Sequence, residues 1–164
     1  MKIGAALNKM ISFSGNNSHD INHFLKVFAF AKSIGELEGL DADTQEILEL
    51  AAVVHDIACP LCREKYGNTN GKYQEIEGVP LARQFLRELS VSDLTIDRVA
   101  WLVGHHHSYT NVEGLDYQIL LEADFLVNAD EGSMSQSAIQ SMLKRVFKTE
   151  TGKRMLQTIY LCNE

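Results

Sequence analysis

His55-Asp56 closes the apolar run Ile47 to Val54, with His23 upstream, His105-His106-His107 downstream and Asp124 beyond them. Imidazole nitrogens and carboxylate oxygens are the donors that a divalent cation of borderline hardness selects, and here separated segments supply them. Each neutral imidazole gives one lone pair and the carboxylates add charge compensation. Two histidines and two aspartates would thus leave coordination positions open for water and a substrate oxygen. Hydrolysis needs that arrangement, because a cation lowers the pKa of its water toward neutrality and offsets charge developing on a phosphoryl oxygen. The dipeptide alone says little: about 0.3 His-Asp pairs are expected by chance at this composition, and two occur, at His19-Asp20 and His55-Asp56. The ordered set carries the expectation. A buried hydrogen-bond network without metal is the bland alternative, and four such groups converging from three helices make it the poorer account.

Around this set stand residues whose roles divide between chemistry and surface. Neighbours on a helix diverge by roughly 100°, so His105, His106 and His107 cannot all face one point; His106, then His105, is expected at the site. Lys72 and Arg63 are the cations expected to meet a phosphate, although loop cations such as Lys65 are ordinarily solvated. Glu75 or Glu77 could act as general base, or simply complement a helix N-terminus. His19, four residues before His23, is expected either at the site or as an exposed residue near the helix cap. Cys59-Pro60-Leu61-Cys62 has the spacing of a redox pair or half a zinc knuckle, but no second pair exists and no βαβ pattern surrounds it. Two small side chains packing beside the metal site are the expectation, and an odd total with Cys162 fits reduced thiols.

The elements that must position these groups read as helices. Ile3 to Phe13 forms a short first one, ended by the turn formers Ser14-Gly15-Asn16-Asn17-Ser18. His23, Val27, Phe30 and Ile34 share a face of a second that closes near Gly39, so His23 points inward. Asp41 or Asp43 caps a third, apolar round most of its circumference, which delivers His55-Asp56 into the interior. Pro60 to Tyr73 lacks period and reads as an ordered loop. Leu81 to Leu89 marks a fourth helix, and Ser92 or Thr95 begins a fifth running to the His triplet. Leu120, Asp124 and Val127 share one face of the next, where a carboxylate buried alone would be costly and needs a cation or strong donors. Ser133 to Phe147 and Thr151 to Leu161 close the chain as two more.

No strand alternation or repeat competes with this all-α reading. At 164 residues with 45% hydrophobic content, the chain fits one domain with a sizeable core. A net charge of -7 argues against a broad nucleic-acid or anionic-membrane surface and favours a small-molecule partner. No stretch has the length of a membrane span or the pattern of a signal peptide, so a cytoplasmic location is expected.

His19-Asp20-Ile21-Asn22-His23, then Val53-Val54-His55-Asp56-Ile57, then Val103-Gly104-His105-His106-His107, then Glu122-Ala123-Asp124-Phe125-Leu126 resemble the successive motifs of the HD superfamily of metal-dependent phosphohydrolases. The resemblance implies a PDEase-like helical bundle of about seven to eight helices, with a motif-bearing core over 19–130 and closing helices over 133–161. It also implies that His23, His55, Asp56 and Asp124 hold one divalent ion, of Mn, Fe, Co, Ni, Zn or Mg, whose water attacks phosphorus. Asp56, His106, Glu75 and Lys72 would serve catalysis, and Arg63, Lys72, His105 and His106 the substrate, a phosphate ester or anhydride and foremost a nucleotide. Two-metal members carry a histidine where this chain has Gln74, so a second ion is expected to be weak, assembled from Glu75 or Glu77 with His105 or His106. A non-catalytic nucleotide-binding module with a structural metal is the alternative.

Overall fold

The computed structural model describes residues 2–161, which form nine α-helices and a terminal π-helical turn, with no strand. α1 (Lys2–Ser14) and α2 (Ser18–Leu37) are joined by a tight turn, and the side chain of Asn17 caps α2 by accepting from the Asp20 N–H. Asp41 caps α3 (Ala42–Val54), accepting from the amides of Asp43 and Thr44. α4 (Cys59–Tyr66), α5 (Gly71–Arg87) and α6 (Asp93–Val103) follow, then α7 (Leu115–Glu131), α8 (Gln136–Arg145) and α9 (Glu150–Leu156), continued by the π turn Gln157–Leu161.

α7 is the pillar of the molecule: every residue from Asp116 to Val127 is buried, as is Ala129. α2 lies against both α7 and α3, and α3 also touches α1 and α6, so the two largely apolar turns from Leu48 to Val54 are enclosed on every side. α5 pairs with α6, and α4 with α5. The core is mainly Leu, Ile, Val and Ala, with the fully buried aromatic rings of Phe24, Tyr117 and Phe147. No helix among the described residues is long and apolar enough to cross a membrane.

The helix beyond the expected eight comes from Pro60 to Tyr73, which the sequence reads as a loop. Pro60 stands in the first turn of α4, where its missing N–H costs nothing and its fixed φ suits a helix. Eight residues are too few for a period to emerge, and Gly67, at φ 70°, ends the helix in the left-handed region. Only 67–70 is irregular, and the stacked rings of Tyr66 and Tyr73, 4.0 Å apart, clamp it from both sides. α5 accordingly begins ten residues before Leu81, capped by Asn70. Cys162 lies outside the described residues.

Candidate metal centre

Side chains from three helices meet at one point. His23 sits in the second turn of α2, His55 and Asp56 follow the last turn of α3, and Asp124 lies mid-way along α7. His23 Nε2 is 3.2 Å from His55 Nε2, 3.2 Å from Asp124 Oδ1 and 3.4 Å from Asp56 Oδ2. His55 Nε2 is 3.4 Å from Asp124 Oδ1 and 3.6 Å from Asp56 Oδ2. Donors on one divalent ion keep this mutual spacing when each stands roughly 2.0–2.4 Å from it.

Neutral imidazoles leave the cluster unsatisfied. A backbone carbonyl only accepts, so His55 Nδ1, 2.9 Å from Ala52 O, must carry its proton there, and Nε2 is left as a lone pair. His23 Nδ1 likewise donates to Glu131 Oε2 at 2.8 Å, and His106 Nδ1 to Val103 O at 2.8 Å. Three Nε2 lone pairs therefore face two carboxylates in a buried site, an arrangement that calls for a cation. Without one, a proton is drawn in. Burial is the largest influence on His23 and opposes its charge, yet Asp124, Asp56 and Glu131 override it and raise its pKa to about 9. Burial likewise works against the Asp56 and Asp124 carboxylates, but the surrounding imidazoles hold both well below the usual carboxylate range.

Asp56 serves two groups of donors. Its Oδ2 faces His23 and His55, while its Oδ1 stands 3.2 Å from His106 Nε2. Asp56, His106 and His107 form a second set close enough to share an ion. Two buried atoms at this side have no hydrogen-bond partner among the described residues, His107 Nε2 and Gln74 Oε1. Burial and the neighbouring His106 push the His107 pKa down to about 4. Glu75 and Glu77 do not supply the second set: Glu75 Oε1 accepts from the His107 N–H at 3.1 Å, and Glu77 binds Lys65 and the Tyr66 hydroxyl.

The cleft over the donors measures about 180 Å³ and is lined by Asp20, Cys59, Arg63, Gln74, His107 and Asn128 among others. Arg63 makes two 2.7 Å bonds to the carboxylate of Asp20 at its rim. His19 stands at the same edge, exposed, 3.7 Å from Glu131. Cys59 is buried, its thiol pKa pushed up by burial and by Asp56, and Cys62 is sealed in the core, so the pair packs beside the site as small side chains.

His105 turns away. Its ring stacks on Trp101 at 4.0 Å and its Nδ1 donates to Trp101 O, because the triplet lies in the turn after α6 rather than on the helix itself. His106 and His107 face inward instead of His106 and His105. Lys72 is exposed in the first turn of α5 and does not line the cleft, and neither does Glu75. Glu131 and Asn128 line the site though sequence reasoning missed them, and His107 was ranked behind its two neighbours. The first two carried a signal: 124, 128 and 131 run at helical spacing, so the polar stripe begun by Asp124 continues for two more turns.

A family model described as the HD domain matches residues 20–143. Among solved structures, the chain is similar to the crystal structure of a predicted HD superfamily hydrolase from an uncultured Thermotogales bacterium. That likeness covers 96% of this chain and 83% of the other, with a TM-score of 0.66 and 23% identity, and it speaks for the fold alone. No curated protein matches the chain.

Proposed function

The chain belongs to the HD-domain family, and from that premise we propose that it is a metal-dependent phosphohydrolase, cleaving a phosphate ester or anhydride of a small molecule, foremost a nucleotide. The convergence of three Nε2 lone pairs on the oxygens of Asp56 and Asp124, each imidazole fixed by a hydrogen bond at Nδ1, carries the reading. His23, His55, Asp56 and Asp124 would hold the ion. A divalent ion there supplies a water acidified toward neutral pH and a positive charge opposite a phosphoryl group.

The chain's own side chains do the remaining work. Glu131 fixes the tautomer and tilt of His23, and the hydrogen bond from His106 Nδ1 to Val103 O aims the His106 Nε2 lone pair at the side of Asp56 that carries Oδ1. Arg63 presents a guanidinium at the rim, and the two bonds it makes to Asp20 have the fork geometry that a phosphate group also offers. His107, neutral at physiological pH, offers an unpartnered Nε2 to a substrate oxygen. The Asp56 side chain keeps 26% of its exposure, so solvent reaches the donors, which favours a catalytic over a closed structural site.

Metal analysis of protein purified without chelator, followed by phosphate release from a panel of nucleotides and simpler esters with Mn²⁺, Co²⁺ or Mg²⁺, tests the reading. About one tightly held ion per chain and release that is lost in Asp124→Ala are expected. Metal-loaded protein that frees phosphate from no ester or anhydride would leave a binding module in its place.

A further inference from the structure

Beside the cleft over the donors lies a second, larger one of about 550 Å³, and His19, Asn128 and Glu131 line both. This second cleft lies between the 104–114 loop, the C-terminal half of α7 and α8, and its walls are Tyr109, Phe125, Met134 and Met142. Phe125 forms a rigid floor, buried and packed edge-on against Phe147 with centroids 5.7 Å apart. The two methionines are unbranched and polarizable, suited to the face of a planar ring whose outline they need not match closely. Tyr109, 45% exposed, stands free at the mouth to stack. The size is that of a small-molecule site, and the lining is apolar with a few polar atoms at the junction.

Charge decides what the cleft admits. Arg63 is the sole lysine or arginine among the residues lining either cleft, and it is already paired with Asp20. The acids Asp20, Asp56, Asp124 and Glu131 outnumber it. A chain of two or three phosphates extending from the metal centre would find no cation to receive its second and third charges, whereas a single phosphate on the ion with an uncharged group beyond it would. Asn128, one turn after Asp124 on α7, sits at the junction with no hydrogen-bond partner for its amide among the described residues, placed to bond the bridging region of an ester.

Resting on the phosphohydrolase reading, we infer that the substrate is a phosphomonoester bearing one phosphate and an apolar or aromatic leaving group, and that Tyr109, Phe125, Met134 and Met142 bind that group and set specificity. Among nucleotides this selects those with a single phosphate.

The test uses the Mn²⁺-loaded full chain with 1-naphthyl phosphate, glycerol 2-phosphate and inorganic tripolyphosphate, together with binding of 1-naphthylmethylphosphonate, which cannot be hydrolysed, followed by its fluorescence. The expected order of kcat/KM places 1-naphthyl phosphate about 10-fold or more above glycerol 2-phosphate and tripolyphosphate last. Met134→Asp and Tyr109→Ala change exposed positions and should fold and load metal as the parent does. Each should lower the ratio of kcat/KM for the naphthyl ester over the glycerol ester about 10-fold and weaken phosphonate binding by a similar factor. Equal kcat/KM for the two esters, preference for tripolyphosphate, or unchanged ratio and binding in both variants would overturn the inference while leaving the hydrolase intact. Phosphonate binding that responds to both variants, in a protein that cleaves none of the three, would keep the cleft assignment and remove the hydrolase reading.

Discussion

Glu131 acts on the metal centre through His23. Its Oε2 receives the Nδ1 proton at 2.8 Å and its Oε1 is held by Lys26 at 3.1 Å, so the carboxylate is braced and the imidazole cannot turn or change tautomer. Glu131→Ala should weaken Mn²⁺ binding about 10- to 100-fold in competition with a chelating dye, with Glu131→Gln intermediate because its amide oxygen still accepts. Wild-type affinity in the alanine variant would reduce Glu131 to a surface ion pair. The convergence of His23, His55, Asp56 and Asp124 was legible in the sequence because metal chemistry restricts the donor types and a carboxylate in an apolar stripe needs a partner. His107 and Glu131 were not. The orientation of a histidine in a turn depends on local backbone geometry that no periodicity records, and Glu131 matters only through the partner it meets across two helices.

At the scale of elements, the second donor set is assembled from the turns after α3 and α6, with the first turns of α5 beside it. It has a single carboxylate, Asp56, already shared with the first set, and two imidazoles, with the amide oxygen of Gln74 nearby, and should bind the more weakly. Manganese titration should show one tight and one weak site. Gly71, opening α5, gives His107 its room: a Cβ there would lie 2.7 Å from the His107 ring. Gly71→Ala, ordinarily favourable in a helix, should weaken the second site further and spare the first. Two sites of equal strength in the parent, or a weak site indifferent to the alanine, would contradict this. Farther off, fully buried Glu122 on α7 accepts from the amides of Lys148 and Thr149, the Thr149 hydroxyl and Gln118, and so ties the start of α9 to the pillar. Glu122→Ala removes the acceptor of all four bonds, leaving the Lys148 and Thr149 amides without one, and should cost at least about 3 kcal/mol in urea unfolding, with metal stoichiometry kept. Helix boundaries were legible at caps such as Asp41 and Ser92, but not at Asn70, whose cap lies ahead of the apolar stripe of its helix. They failed at Pro60, where a residue read as a breaker is a first-turn former.

For the whole molecule, the bundle brings α2, α3 and α7 together around charges it does not itself neutralise, so its stability depends on what occupies the centre. Composition made the all-α class and the core legible, since apolar stripes at helical period have few other ways to pack. It left silent the coupling between metal, protons and fold. In the metal-free protein the carboxylates of Asp124, Asp56 and Glu131 raise His23 from 6.5 to about 9 against the opposing effect of burial. The folded state thus binds a proton more tightly than the unfolded chain. The resulting stabilisation is fully present below about pH 6.5 and is lost as pH rises through about 9, up to about 3 kcal/mol in all. Metal binding has the opposite slope, because the ion takes the lone pair that the proton would occupy. Between pH 6.5 and 9 the chelator-treated protein should melt at progressively lower temperature, while the gap between Mn²⁺-loaded and chelator-treated protein widens. Thermal unfolding at several pH values with and without the ion measures both. A metal-free protein that grows more stable across this window, or a gap that narrows, would mean that the imidazoles and carboxylates at the centre are not competing for one cation.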